Sequence, residues 1–322
     1  MLNYQRISAN IQKITIDNPK TLNKRLVWIN IANAGKNELE YLRKEYNFKL
    51  AHLRASTAKA TAQIPKIERG TNYLFMILHF PIFKNGNIIP GEVEFFIAPG
   101  LLVTLHTNNL KALNEFFNFC KKDSNSLLAY EFESSAILLY ELLKRLINSC
   151  YDLLDKNSIA INNVENLIFD QKQKEAVSKI LSLRLNIINI RKIMQNHKNI
   201  IKKLIERETQ NVPPEKIKKY YNELIEHTKR IWENLENQKE TIEVLYNTNE
   251  SLLNYRISDI MKTLTVFSVI VFPLTLLAAI FGMNVTDGMP FLHRANGFWI
   301  VMAIMLFGCL SMLLIFAKKK WI

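Results

Sequence analysis

The chain carries little that would give it the chemistry of a soluble enzyme. It has only three cysteines, Cys120, Cys150 and Cys309, far apart and without a Cys-x-x-Cys spacing. That scarcity excludes a disulfide framework and fits reduced, buried thiols. The six histidines are as dispersed, and no pair has metal-ligand spacing. There is no Walker loop, no dinucleotide glycine fingerprint and no nucleophile elbow, so nothing in the sequence supports an enzyme. Glycine and proline are also missing from long stretches. None occurs from Glu215 to Phe272, which removes the usual helix breakers there.

The most informative absence is of charge. Residues 263–281 and 297–317 hold no Asp, Glu, Lys or Arg. At roughly 1.5 Å of rise per residue, each run matches the hydrocarbon core of a bilayer. A central charge in such a run would cost roughly 2.5–3.5 kcal/mol. The two runs predict a transmembrane helical hairpin. Arg256 and Lys262 precede the first, and Lys318, Lys319 and Lys320 follow the second, while the connecting loop holds only Asp287, His293 and Arg294. The positive-inside rule then puts both termini in the cytoplasm, which points to a multi-pass protein of the plasma membrane. Trp299 and Trp321 suit the two interfaces.

The formal net charge is +13, from 42 basic and 29 acidic residues. Binding of nucleic acid or anionic lipid would require clustering on one face. The lysines are instead scattered, in pairs such as Lys121-Lys122, Lys202-Lys203 and Lys218-Lys219. Solvated helix faces account for them, and no nucleic-acid partner is expected.

Up to residue 107 the pattern mixes strands and short helices. Residues 25–30 (RLVWIN) read as a strand, 37–46 as a helix, and 73–83 (YLFMILHFPIF) as a largely buried strand, with a helix left open by its length. Lys84-Asn85-Gly86-Asn87 reads as a tight turn, because Asn-Gly tolerates positive φ. Residues 92–97 and 101–106, separated by Ala98-Pro99-Gly100, read as another hairpin. This is an α/β domain with a mainly buried sheet flanked by helices. From 108 to 214 the period is helical, and Pro213-Pro214 interrupts it.

A second helical pattern starts at Glu215. Ile217, Tyr221, Leu224, Thr228, Ile231, Leu235, Gln238, Ile242, Leu245, Asn249, Leu252, Ile257 and Ile260 recur at close to alternating three and four spacing. One helix of roughly 65 residues is expected, continuing into the first span. Thr228, Gln238 and Asn249 on this seam suit either a wet central axis or register-setting hydrogen bonds. A coiled-coil sensor anchored in the membrane satisfies the same spacing.

Within the first span, Thr265, Ser268, Thr275 and Ala279 share a helical face, with Phe272 between Ser268 and Thr275. Such a face suits either a helix interface or a pore lining. A single hairpin cannot enclose a pore, so the pore reading requires an oligomer. Beyond the span, Gly282, Met283 and Asn284 read either as a helix cap or as a carboxamide presented at the non-cytoplasmic mouth.

Phe281-Gly282-Met283-Asn284 after the penultimate span, Met289-Pro290 in the loop and Lys318-Lys319-Lys320-Trp321 at the end resemble the CorA-type divalent cation channels, whose signature is an aromatic residue followed by Gly-Met-Asn. Ile260-Met261-Lys262-Thr263-Leu264-Thr265, Pro273-Leu274-Thr275, YYNELIEH at 220–227 and EVEFFIAPGLLVTLH at 92–106 extend the likeness over nearly the whole chain.

The resemblance implies a homopentameric funnel: cytoplasmic α/β and helical regions (1–107 and 108–214), a stalk helix (215–262), a pore helix (263–284), an outer loop (285–296), a second span (297–317) and a basic tail (318–322). It implies Mg²⁺ influx, with Co²⁺ or Ni²⁺ also accepted, and no organic cofactor. Gly282, Met283 and Asn284 would form the selectivity ring. Thr275 would form a deeper polar ring, Phe272 an apolar constriction, and Lys318, Lys319 and Lys320 a basic collar. Divalent ions bound between cytoplasmic domains would close the pore, with Glu223, Glu226 and Asn247 as candidate ligands.

Met289-Pro290 is followed by Phe291, where the magnesium-type loop usually has Glu, and Asp287 is the acid that could compensate. Val285 and Gly297-Phe298-Trp299 resemble the zinc-transporting branch of the same superfamily, so Zn²⁺ is the alternative cargo.

Overall fold

Strand β3 (Arg25–Ala32) is apolar on both faces, with Leu26 and Trp28 on one and Ile29 and Ile31 on the other all buried. A strand of that kind belongs at the centre of a covered sheet. This computed structural model describes residues 2–17, 25–56, 63–122, 134–207, 214–284, 288–291, 295–319 and 321. It contains a seven-stranded sheet of β1 (Leu2–Arg6), β2 (Ile11–Asp17), β3, β4 (Lys66–Arg69), β5 (Leu74–Lys84), β6 (Asn87–Ala98) and β7 (Leu101–His106) in the order β1-β2-β3-β7-β6-β5-β4. Two antiparallel meanders join at the parallel β3–β7 pair, in register Val27 with Leu101.

The strands expected at 25–30, 73–83 and 101–106 are present as β3, β5 and β7, and the Asn-Gly turn joins β5 to β6 with φ of 50° at Asn85 and 82° at Gly86. One expectation is corrected: β6 begins at Asn87 rather than at residue 92. The prolines do not stop it, because Pro81 and Pro90 pair with each other beyond the reach of β4 and β7. Only two strands remain there, so a missing donor costs no central ladder bond. Three strands went unread, β1, β2 and β4.

Helices α1 (Lys36–Tyr46) and α2 (Leu50–Ala55) cover one face through Leu42, Leu53 and Phe48 of their connection, against Ile29, Ile31, Phe75, Phe96 and Val103. On the other face, α3 (Lys111–Lys122) sets Phe116 and Phe117 against the Trp28 ring at 5.5 and 4.9 Å. The indole N–H is satisfied by Thr104 Oγ1 at 3.1 Å. Helices α4 (Ser135–Phe169), α5 (Gln173–Met194) and α6 (His197–Arg207) follow. Gln171, at φ 66°, breaks α4 from α5 without glycine or proline. Asn186 of α5 holds the β5–β6 turn, accepting from Ile88 N at 3.0 Å and donating to the Gly86 carbonyl at 3.2 Å.

Among the buried groups on the sheet, Glu94 of β6 titrates away from its usual range. Burial raises the Glu94 carboxyl well above ordinary carboxylates, and the Glu92 carboxylate beside it adds to the rise. Glu92 stays below the usual range: burial opposes this, but bonds from His79, Glu94 and the Gln63 backbone outweigh it. A raised folded-state pKa contributes stability that is fully present below the unfolded value and is lost as pH rises through the folded value. Glu94→Gln keeps the neutral donor and removes that dependence. Thermal unfolding across pH is expected to show the wild type losing stability relative to the variant from about pH 5 upward.

Helix α7 runs from Pro214 to Phe281, 68 residues through the Pro273 position, and α8 spans Gly297–Lys318. The chain divides into two compact units, Met1–Leu245 and Tyr246–Ile322. Within the first, the seam from Ile217 to Leu245 is buried throughout. It packs on its own chain: Tyr221 donates to the Ala136 carbonyl at 2.7 Å and Gln238 to the Leu154 carbonyl at 2.8 Å, so α4 and α7 run side by side in one direction. Asn157 donates to Gln238 Oε1, and Gln238 also reaches Ser158 Oγ at 3.0 Å. The polar seam residue Gln238 thus sets register between α4 and α7 and does not line a wet axis.

Candidate cation pathway

The second unit holds two helices long and apolar enough to cross a membrane, α8 and the apolar end of α7. Thr265, Ser268, Phe272, Thr275 and Ala279 lie on α7 at spacings of three and four, on one face. Thr265 Oγ1 donates to the Met261 carbonyl at 2.8 Å, Ser268 Oγ to Leu264 at 2.8 Å, and Thr275 Oγ1 to Val271 at 2.9 Å. Each hydroxyl proton is therefore spent on the helix itself, and the oxygen lone pairs remain as acceptors. A row of acceptors without donors suits a cation. Phe272 is 71% exposed between the Ser268 and Thr275 levels.

Helix α7 ends at the Gly-Met-Asn triplet. Gly282 N donates to the Ala278 carbonyl at 2.9 Å and Met283 N to Ile280 at 3.2 Å, so the last turn tightens before the chain leaves. Gly282 is not among the described glycines with positive φ, which are Gly86, Gly100 and Gly288. It is therefore not a left-handed cap. A Cβ there would lie 3.0 Å from the Ala278 carbonyl oxygen, so a side chain would crowd the final turn. Met283 and Asn284 are exposed beyond it.

The return to α8 depends on Gly297. It is buried, and a Cβ there would overlap the Phe291 carbonyl oxygen, while Phe291 itself takes φ 73°. Gly297→Ala is expected to displace the Phe291 turn. With purified protein, a raised rate of protease cleavage within residues 285–296 relative to the wild type would register it. Phe298 and Trp299 at the start of α8 are each 70% exposed, and Trp321 stacks on Phe316 at the other end. Lys318 and Lys319 are exposed at the helix end. Asp287 and Lys320 lie outside the described residues, as do Val285, His293 and Arg294.

The candidate regulatory residues Glu223, Glu226 and Asn247 all lie on α7. Glu226 is exposed on α7, Asn247 is exposed and falls in the other unit, and Glu223 is already engaged. Its Oε1 lies 2.8 Å from Lys144 Nζ and its Oε2 accepts the Tyr140 hydroxyl at 2.6 Å. The Lys144 bond is the main reason its carboxyl is held below the usual range. Burial, followed by the Glu223 hydrogen bond, pushes the Tyr140 hydroxyl up to about 12. Each carboxylate oxygen of Glu223 thus already has one partner on α4, which any further cation would have to share or displace. Among the described residues no group of three His, Cys, Asp or Glu side chains could hold a metal. Tyr140 and Lys144 carry no sequence signal toward Glu223, from which they are separated by most of α4, α5 and α6. Burial pushes the Cys120 and Cys150 thiols up to about 12, which leaves them inert.

A profile described as the CorA-like Mg²⁺ transporter protein matches residues 23–320. The chain belongs to the CorA-like Mg²⁺ transporter family. It is 23% identical to the cobalt/magnesium transport protein CorA of Methanocaldococcus jannaschii over 92% of each chain. It is 25% identical to the protein of that name from Thermotoga maritima, over 92% of this chain and 83% of the relative. The complete structure of the CorA magnesium transporter from M. jannaschii superposes with a TM-score of 0.84 at 21% identity, covering 98% of this chain and 100% of that one. The CorA fold is thus present: a sheet domain flanked by helices, a long helix and an apolar hairpin. The family is one of transporters rather than enzymes.

Proposed function

We propose that this chain forms a channel for divalent cations, carrying Mg²⁺ and also Co²⁺ or Ni²⁺ into the cell. The observation that carries the reading is the position of Gly282-Met283-Asn284, at the end of a helix whose span presents a row of hydroxyl acceptors and no acid. Mg²⁺ gives up its water reluctantly and prefers octahedral geometry. Neutral carboxamide oxygens of Asn284 bind the hydrated ion through its waters, without demanding that its shell be stripped. Carboxylates would hold it more tightly and release it more slowly.

One hairpin cannot surround an ion, so the functional unit is an oligomer with α7 innermost, and the family likeness supports a homopentamer. Thr275 then forms a polar ring inside the pore, Thr265, Ser268 and Ala279 line its wall, and Phe272 narrows it with an apolar ring, where dewetting opposes passage. Lys318 and Lys319, continued by Lys320, stand as a basic collar at the cytoplasmic exit, with both termini inside a plasma membrane. Gly282 allows neighbouring copies to approach at the filter.

The cargo is tested by uptake into liposomes of purified protein, comparing Mg²⁺, Co²⁺, Ni²⁺ and Zn²⁺ with and without a transmembrane pH gradient. Mg²⁺ entry independent of the pH gradient is expected. Zn²⁺ entry that requires the gradient, without Mg²⁺ entry, would assign the chain to the zinc-transporting alternative.

A further inference from the structure

Two side chains of α4 close on Glu223 of α7. Lys144 Nζ sits 2.8 Å from Oε1, the Tyr140 hydroxyl donates to Oε2 at 2.6 Å, and Lys144 Nζ donates to that hydroxyl at 3.1 Å. The three groups make a closed triangle. Tyr140 and Lys144 are one turn apart on α4, so the helix presents them together. The Tyr220 ring packs on Tyr140 at 4.7 Å. His227, one turn along α7, brings Nε2 to 3.7 Å from Glu223 Oε1 and is itself steadied by the Tyr151 hydroxyl at 3.2 Å from Nδ1.

We propose that Lys144 is the resident cation of this position: its ammonium clasps α4 to α7 at Glu223, so the clasp neither needs a divalent ion nor responds to one. The inference rests on the channel reading above, which is what makes Glu223 a candidate regulatory acid, and it specifies how that acid is used in this chain.

The physical argument is one of competition. The Lys144 ammonium is tethered to a packed helix, so it meets Glu223 at the high effective concentration of an intramolecular partner. Mg²⁺ arrives from bulk water, must shed or reorganise a tightly held shell, and would have to compete with a partner already on each carboxylate oxygen. A point charge with three donors also serves two acceptors at once, which it does here with Glu223 and Tyr140. Remove the ammonium, and a carboxylate and a phenol oxygen are left around the vacated space, with the His227 imidazole 3.7 Å from the same carboxylate. That donor set accepts a divalent ion with positions open to water. The clasp is thus a constitutive contact between α4 and α7.

The test is thermal unfolding of the full-length protein in detergent, titrated with MgCl₂, for the wild type and for Glu223→Gln, Lys144→Met, Lys144→Arg and the Lys144→Met/Glu223→Gln double variant. In the wild-type background, Glu223→Gln is expected to leave the Mg²⁺ response unchanged. Lys144→Met is expected to add a Mg²⁺-dependent rise in midpoint, appearing at about tenfold lower Mg²⁺ than any response of the wild type. The double variant loses that added rise, and Lys144→Arg, which keeps the charge, follows the wild type. A Glu223→Gln change that weakens the wild-type Mg²⁺ response would overturn the proposal, because it would mean that the ion reaches Glu223 past Lys144. That comparison does not depend on the Lys144 variants folding. A Lys144→Met response identical to the wild type would overturn it as well. Because unfolding does not involve flux, a protein that fails to pass Mg²⁺ into liposomes would sink the channel reading while leaving this result legible.

Discussion

Asn284→Ala abolishes selective Mg²⁺ flux while the protein still assembles and inserts. The carboxamide is the only neutral side chain with both donor and acceptor atoms that the Gly282-Met283-Asn284 triplet offers. A hydrogen bond to a charged partner contributes about 1.5–3 kcal/mol. The hydrated ion polarises its waters in the same way, so losing even one such contact at the filter costs about tenfold or more in flux. An oligomer loses one contact from every copy. Asn284→Asp separates geometry from charge: it keeps an oxygen in place but adds negative charge, so it should bind Mg²⁺ more tightly and turn over more slowly. The measurement is dye-reported Mg²⁺ entry into liposomes, normalised to protein inserted. Wild-type flux through the Ala variant would remove Asn284 from the mechanism.

The second large effect lies in the first unit. Leu235 is fully buried on the α7 seam, between Ile231 and Gln238. Truncating it to Ala removes packing and leaves a cavity, at about 2–5 kcal/mol for a site of this kind. At about 2–4 °C per kcal/mol for a unit of this size, the unfolding midpoint of the 1–245 part drops by about 4 °C or more. Ile257→Ala and Ile260→Ala extend the same sequence pattern, but those residues are 58% and 67% exposed in the chain. They are expected to leave that midpoint in place. Calorimetry of the full-length variants in detergent checks the contrast. Equal effects at all three positions would contradict the packing described for α7.

That contrast marks where the sequence is legible. The three-and-four spacing from Ile217 to Asn249 could be read directly, because helix geometry maps it onto one face and every one of those positions is buried. Spacing does not say which surface covers the face. The partner proved to be α4 of the same chain, through Tyr221, Asn157 and Gln238, and this removes the coiled-coil sensor's need for a second copy along that seam. The pattern continues at Ile257 and Ile260 although no burial within the chain follows, since periodicity is blind to where a chain partner ends.

In the sheet, long apolar runs such as β5 stood out, although their length alone did not decide strand against helix. Strands β1 and β4 did not stand out, because Leu2–Arg6 and Lys66–Arg69 are short, edge-lying and half polar. The break between α4 and α5 was equally silent, since Gln171 adopts positive φ without the usual glycine. For the candidate site, composition alone marked the two apolar helices and the motif marked Gly282-Met283-Asn284 as the proposed filter, because both signals are local in sequence. The Tyr140–Lys144–Glu223 triangle and the approach of Gly297 to the Phe291 carbonyl depend on contacts that no local pattern encodes.

The central claim is that the hydroxyl-lined face of α7 and the Asn284 carboxamide conduct hydrated Mg²⁺ down its own gradient. The most direct measurement is Mg²⁺ entry into liposomes holding the purified wild-type protein, with an inward Mg²⁺ gradient, equal pH on both sides and protein-free liposomes alongside. The account predicts entry that follows the Mg²⁺ gradient and stops when it is dissipated. Entry no faster than in the protein-free liposomes, from protein verified to be inserted, would contradict it.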